Sequence, residues 1–326
     1  MRAVQPELAF YSKTRQLAGT KLKDQRIQVD MVPRALVRAS DLPLAGPPAV
    51  ALAFIVGTDG PSYRPVGATM VLAVDGSLRG SLSSGCIDAD IAVHATRAAA
   101  CGQGLLLRYG MGSPFRDLEL PCGGGLDICV IPAPDVETQD RLKRHLDARQ
   151  RLQIWISAAG LSVKPMSGWL DLTVDPDPRF AVFGKGPEAI AFARMTSGAG
   201  YETALHSPDP ETLSALSGLS VQKLGLTGSV QKVAIDPFTA AVLFFHDHDH
   251  EPAILCDLLA SPAFYVGAQG SRRAAERRLQ ELRAMGLPES QLCRLRGPIG
   301  VIPSTRDPRT LAASVLAEVL AEANQR

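Results

Sequence analysis

The chain has 326 residues, 46% of them hydrophobic and 21% charged, a balance that excludes intrinsic disorder and gives material for roughly two domains of about 150 residues. Its 34 Lys and Arg against 33 Asp and Glu leave a formal charge of +1, so no global field draws it to nucleic acid or to an anionic membrane. Aromatic residues at 5% also argue against a protein that stacks single-stranded bases.

Residues 1–30 show no sustained period and read as an N-terminal extension. Charged side chains from Arg2 to Lys23 interrupt any signal-peptide core, and the longest apolar run, Ala49 to Val56, is far short of the roughly 20 residues that span a bilayer. The expectation is a cytoplasmic protein without a membrane helix. Ala49 to Val56 and Ala68 to Val74 read as strands, the second leaving through the hairpin turn Asp75-Gly76. A loop from Ser81 to Cys86 opens a helix over Ile87 to Ala100, and strands follow at Leu105 to Tyr109 and Leu126 to Ile131. These make a mixed α+β domain over 31–132. Residues 133–177 read as a connecting segment with a short helix and strands, closed by Asp175-Pro-Asp-Pro.

From residue 178 to 326 strand and helix patterns alternate, with strands at Phe180 to Phe183, Glu202 to His206, Ala240 to Phe245 and Ala263 to Val266. Helices are predicted at Pro187 to Ser197, Pro210 to Leu216, Pro252 to Ala260, Arg272 to Met285 and Asp307 to Ala323. The rhythm specifies a Rossmann-like, doubly wound parallel sheet, so the fold class is α/β.

Four constellations carry chemistry. Gly184-Lys-Gly186-Pro-Glu-Ala189 stands between a strand and a helix in the form of a dinucleotide fingerprint, where glycines admit a phosphate to the helix start. The following strand ends in His206-Ser207-Pro208, without the carboxylate that holds a ribose. A phosphate-bearing ligand, a nicotinamide dinucleotide such as NAD(P) and a purely structural turn all remain open there. Gly267-Ala-Gln-Gly270-Ser271-Arg272-Arg273 repeats the pattern with an N-cap serine and two cations suited to an anion, and Arg277 and Arg278 follow. A solvated helix pairing its arginines with Glu276 and Glu281 is the competing reading. His246-Asp-His248-Asp-His250 alternates imidazole and carboxylate after a strand, a weak metal candidate weighed against ligand contact and local hydrogen bonding.

The fourth constellation is the pair of loops holding Gly85-Cys86 and Cys122-Gly123, where a thiol leading into a helix has a lowered pKa and suits thiolate chemistry. Six cysteines are too sparse for a disulfide scaffold, and Cys101, Cys129, Cys256 and Cys293 read mostly as small buried hydrophobes.

Taken together these residues resemble the XdhC/CoxI family of maturation factors for xanthine and carbon monoxide dehydrogenases. The resemblance rests on Pro61-Ser-Tyr-Arg-Pro-Val-Gly67, Gly80-Ser-Leu-Ser-Ser-Gly85-Cys86-Ile-Asp88, Pro121-Cys122-Gly-Gly, Tyr265-Val-Gly267-Ala-Gln-Gly270 and Arg296-Gly-Pro298-Ile-Gly300, in that order. Ser84 and Asp88 replace a family glycine and glutamate, and Val301-Ile-Pro-Ser departs from the usual pattern. What the resemblance implies is a chaperone rather than a turnover enzyme. It would bind molybdenum cofactor (molybdopterin), in a plain or nucleotide-bearing form, and protect it. With a cysteine desulfurase it would support replacement of an oxo ligand by sulfur, then deliver the cofactor to a xanthine dehydrogenase-type apoenzyme. A homodimer is expected. By the same resemblance Cys86 handles cofactor or sulfur, Cys122 assists, and Arg272 and Arg273 anchor phosphate. Gly85, Gly123, Gly184, Gly186, His246, Gly267, Gly270 and Ser271 complete the expected site. A Rossmann oxidoreductase using nicotinamide or flavin, and a binder of another nucleotide-like ligand, are the alternatives.

Overall fold

The computed structural model describes residues 32–83, 85, 87–113, 120–121, 123–216, 218–224, 233–245 and 250–326. Cys86, Cys122, His246 and His248 lie outside the described residues.

The first half is built from β1 (Arg34–Arg38), β2 (Ala49–Asp59), β3 (Thr69–Ala73), β4 (Leu78–Gly80), α1 (Asp88–Cys101), β5 (Leu105–Gly110), β6 (Gly125–Pro132), α2 (Val136–Asp147), β7 (Leu152–Ser157), β8 (Gly160–Ser162) and β9 (Leu170–Asp175). An antiparallel sheet runs in the order β4-β3-β2-β6-β5, and a second runs β1-β9-β7-β8. Asp75-Gly76 makes the β3–β4 hairpin, with Leu72 facing Leu78. β2 is buried on both faces because two cores meet on it. Ala51, Ala53 and Ile55 face α1 through Ile91, Ala95 and Ala98, while Leu52, Phe54 and Val56 pack with Ile154, Leu172 and Val37 of the second sheet. The stretch 133–177 is therefore part of a layer packed on the first sheet, and β1 joins it by pairing parallel with β9 from Arg34↔Asp171 to Arg38↔Asp175. Such burial drives assembly at roughly 25 cal/mol per Å² of apolar surface.

The second half contains β10 (Arg179–Gly184), α3 (Pro187–Gly198), β11 (Thr203–Ser207), α4 (Pro210–Ser214), β12 (Ser220–Lys223), β13 (Thr239–Phe244), α5 (Glu251–Ala260), β14 (Tyr265–Ala268), α6 (Arg272–Ala284), α7 (Glu289–Leu292), β15 (Leu295–Arg296) and α8 (Pro308–Asn324). All sheet partners are parallel, in the order β12-β11-β10-β13-β14-β15, the 3-2-1-4-5-6 arrangement of a Rossmann fold. α3 and α8 cover one face through Phe192 and Val315, and α5 and α6 cover the other through Ile254 and Leu282. The central strands are buried on both sides, so Ala181 to Phe183 and Ala240 to Phe244 are continuous apolar runs.

The halves meet at the amino-terminal ends of the Rossmann strands. Arg149 donates from Nε to Asp236 Oδ2 at 2.7 Å and from Nη2 to the Asp177 carbonyl at 3.0 Å. Arg179 Nη2 reaches the same Asp236 oxygen at 2.9 Å, and Arg38 Nη2 donates to the Ala323 carbonyl. Burial opposes ionisation of Asp236, but its bonds to Arg149, Thr239 and Phe238 more than offset it and hold the carboxyl below its ordinary pKa. A cleft of about 510 Å³ lies at this junction beside Phe238 and Phe264. Its buried Asp175 is already paired with Arg151 at 2.5 and 2.9 Å.

Candidate functional site

In an open parallel sheet, ligands bind where loops leave the carboxyl ends of the strands, near the reversal of strand order, here between β10 and β13. Gly184 ends β10 at that reversal. A Cβ on it would stand 2.4 Å from the Phe244 carbonyl oxygen, so its first requirement is close packing of β10 against β13. Gly186, at φ +83°, donates its N–H to Thr212 Oγ1 at 2.9 Å. Asp209 fixes that hydroxyl, accepting from Thr212 Oγ1 at 2.5 Å and from Thr212 N at 2.9 Å. The side-chain and backbone bonds from Thr212 hold the Asp209 carboxyl below its ordinary pKa. The amide that the fingerprint reading gives to a pyrophosphate thus has a partner within the chain, and Pro187 at the start of α3 removes another donor. Behind the turn His206 is 2% exposed and stacked on Phe183 at 4.8 Å. Burial pushes its pKa down to about 4.

The second glycine turn is different. Gly267 is a packing position, since a Cβ there would meet the Tyr265 ring at 2.5 Å and Ile299 at 2.8 Å. Gly270, at φ +147°, then swings the chain into α6, where Ser271 Oγ accepts from Ala274 N at 3.2 Å as the N-cap. Arg272 and Arg273 are exposed and carry no acid partner among the described residues. Arg278 does not join them. It is buried and donates to Glu251 at 3.0 and 3.1 Å and to the Gln269 carbonyl at 2.8 Å, so the predicted cluster of four cations at the helix start loses one member. The residues that pair it come from α5 and the end of β14, outside the reach of helical spacing.

Facing Gly270 and Arg272 across a pocket of about 680 Å³ is the segment from Pro298 to Arg306. Its entry is fixed by Glu318, which accepts from Tyr265 Oη at 2.7 Å and from the Gly300 amide. Ile302 N donates to Ser314 Oγ at 2.7 Å. Two of its lining residues, Gln269 and Thr305, keep a buried side-chain oxygen without a hydrogen-bond partner among the described residues. Sequence reasoning missed Gln269, Thr305 and Arg306. The Arg296 to Gly300 motif stops just before the last two, and no local pattern marks them.

In the first half, Asp88 organises the loop before α1. It accepts from Ser81 Oγ at 2.5 Å, Ser83 Oγ at 2.9 Å, and the amides of Leu82 and Ser83, each at 3.2 Å. Ser83 Oγ in turn accepts from Ile87 N at 3.0 Å. Gly85 and Gly123 are exposed, at φ +101° and +71°, with open space at their Cβ positions. Gly124 has none, because its Cβ would lie 2.2 Å from the Pro61 carbonyl oxygen. Asp59 and Asp127 hold Arg108 beside this loop, the latter at 2.9 Å. His250 is the one histidine of its motif among the described residues, at the N-cap of α5 and 6.0 Å from the Phe245 ring. The expectation that the other cysteines are buried holds for Cys129, whose thiol burial pushes up to about 12, but Cys101 and Cys293 are exposed. They sit at the ends of α1 and α7, where the chain turns to solvent.

Residues 180–319 match the model described as the XdhC Rossmann domain, and residues 44–110 match that of the XdhC and CoxI family. The chain is 31% identical over 277 residues to the molybdenum cofactor insertion chaperone PaoD of Escherichia coli (strain K12), covering 82% of this chain and 81% of that one. The chain belongs to the XdhC and CoxI family. A probable xanthine dehydrogenase subunit from Bacillus subtilis (strain 168) is 23% identical, covering 82% of this chain and 92% of its own. The fold is shared with a crystal structure described as a xanthine dehydrogenase from Bacillus halodurans, at a TM-score of 0.69 and 21% identity, covering 87% of this chain and 94% of that one. No helix among the described residues of this XdhC/CoxI member is long and apolar enough to cross a membrane.

Proposed function

We propose that this chain binds molybdenum cofactor, protects it, supports its sulfuration by a cysteine desulfurase and delivers it to a xanthine dehydrogenase-type apoenzyme in the cytoplasm. The observation that carries the reading is the pocket at Gly270, Ser271 and Arg272, lined also by Arg306, where both arginines are exposed and have no acid partner among the described residues. A phosphate-bearing pterin matches that donor set, whereas the fingerprint turn has spent its Gly186 amide on Thr212. The relation to PaoD supports the same cargo. Ser271, Arg272 and Arg273 anchor the phosphate, and Gly270 lets the chain approach it. Cys86 and Cys122, flanked by Gly85 and Gly123, handle sulfur and the metal end as thiolates. Gly184 and Gly267 pack the strand ends closely and Gly186 opens α3, and His246 is proposed as a further cofactor contact. The nucleotide-bearing cofactor is the finer form of this proposal.

Within one chain the contacts joining the halves lie at Arg179, and the glycine turn lies five residues on at Gly184, roughly 17 Å along the strand. A homodimer that brings the cysteine loops of one copy to the Rossmann edge of the other completes the site. The test is anaerobic purification from a cofactor-producing host, with molybdenum assay and fluorescence of the oxidised pterin. Both are expected with wild type, and absence of both overturns the reading. Cys86→Ala is expected to lower cofactor retention or sulfuration, and unchanged values of both overturn the thiol's role. Mixing Cys86→Ala with Arg272→Ala chains restores retention if the site is shared between copies, and fails to restore it if each chain holds its own.

A further inference from the structure

The cleft of about 510 Å³ between the two halves lies at the opposite end of the Rossmann sheet from the glycine turns, because Phe238 precedes β13 and Phe264 precedes β14. Its size falls within the roughly 300–1,000 Å³ of small-molecule sites, which favour junctions between domains. Arg38 and Arg151 line it from the first half, and Phe238, Phe264 and Arg326 from the second. Three of the lining side chains are guanidiniums and one is a carboxylate, Asp175. That carboxylate is shared. Arg151 holds both of its oxygens, at 2.5 and 2.9 Å, and Arg38 Nη1 stands 3.9 Å from Oδ2. Arg38 donates from Nη2 to the Ala323 carbonyl, and Arg326 donates from Nη1 to the Pro237 carbonyl at 3.0 Å. A carbonyl satisfies a donor without cancelling its charge, so the cleft keeps positive charge in surplus. Half-enclosing protein walls strengthen its pull on an anion relative to open water.

The other walls are apolar. Phe238 and Phe264 are both half-buried, and the Arg326 guanidinium lies 5.5 Å above the Phe264 ring. Aromatic rings receive a further ring in offset or edge-on contact, and a guanidinium fork matches the two oxygens of a carboxylate. Among the described residues the lining offers no hydroxyl, amide or ammonium side chain to serve the third oxygen of a phosphate.

We propose that this cleft binds a small aromatic carboxylate, with its ring against Phe238 and Phe264 and its carboxylate among Arg38, Arg151 and Arg326. The site is separate from the cofactor pocket and does not rest on the cofactor reading. Because its lining comes from both halves, an occupant bridges them and stabilises their junction.

Full-length protein is titrated calorimetrically with 2-naphthoate, with the neutral analogue 2-naphthalenemethanol and with inorganic phosphate. The carboxylate binds at one molecule per chain, and the alcohol and phosphate each bind at least about tenfold more weakly. Arg326→Gln and Phe238→Ala each weaken 2-naphthoate binding about tenfold, the size expected for losing one charged hydrogen bond or one ring contact, and Arg326→Lys recovers part of the first loss. Arg326 is exposed, so its variant is expected to keep the wild-type circular dichroism and melting temperature without ligand. With ligand, the wild-type melting temperature rises with 2-naphthoate concentration, as binding to the folded state requires, and the rise is smaller in both variants. Absence of saturable heat from 2-naphthoate, equal affinity for the alcohol or for phosphate, or unchanged affinity in both variants overturns the proposal.

Discussion

Arg278 on α6 donates from Nε and Nη2 to both carboxylate oxygens of Glu251 at the start of α5, at 3.0 and 3.1 Å, and the two side chains are 3% and 1% exposed. The same guanidinium holds the Gln269 carbonyl at 2.8 Å. One buried ion pair therefore ties two helices to the turn at Gln269 and Gly270 that lines the pocket. Arg278→Met leaves the Glu251 carboxylate buried without its guanidinium and is expected to cost about 3–5 kcal/mol. Urea unfolding of the single variants and of Arg278→Met combined with Glu251→Leu checks it. The double variant is expected to lose less than the sum of the singles, because removing both charges removes the desolvation penalty as well.

Acid stability depends on His206. Burial lowers its pKa from 6.5 to about 4, so between those values the unfolded chain binds a proton that the folded chain does not, and stability falls as the pH drops through that window. The shift corresponds to a loss of about 3 kcal/mol by pH 4. His206→Phe, which keeps the stack on Phe183, is expected to flatten this limb. Denaturant midpoints at pH 7 and pH 5 measure it, and an unchanged difference between wild type and variant refutes the assignment.

Asp88 acts on the loop before α1 through bonds to Ser81, Leu82 and Ser83. Asp88→Ala strands these donors and is expected to destabilise the first domain by about 1–3 kcal/mol. Limited proteolysis should then cut between residues 81 and 87 before the rest of the chain, and cofactor retention should fall with it.

The turn at Gly186 is expected to refuse nicotinamide dinucleotides, because its amide is bonded to Thr212 Oγ1. Titration of wild type with NADH should give no saturable fluorescence change, and a saturable one would restore the oxidoreductase reading. Thr212→Val, which keeps the shape and loses the hydroxyl, should cost about 1–3 kcal/mol in thermal or urea unfolding, while Thr212→Ser retains most of the stability.

Local patterns were enough for much of the fold. The apolar runs of β10 and β13, the helix starts at Pro187 and Ser271, and the hairpin at Asp75-Gly76 are set by residues within a few positions of one another, and each appears where periodicity places it. Short or exposed strands were not legible. β12, Ser220–Lys223, is exposed throughout and has no apolar alternation, and β8 has only three residues. The pairing of Arg34–Arg38 with Leu170–Asp175 joins segments far apart in sequence, and it turns residues 133–177 from a connection into a layer.

The sequence by itself determined the order of elements, the Rossmann rhythm and the glycine turns, because these follow from side-chain periodicity and backbone freedom over short stretches. Only the tertiary structure decided which turn has donors to spare. Gly184-Lys-Gly186 and Gly267 to Gly270 look alike as strings, but Thr212 reaches the first from α4 while Arg306 and Thr305 face the second from the segment before α8. Hydrogen-bond satisfaction is settled by neighbours in space, and those neighbours come from 26 residues away for Gly186 and from a separate segment beyond β15 for Gly270.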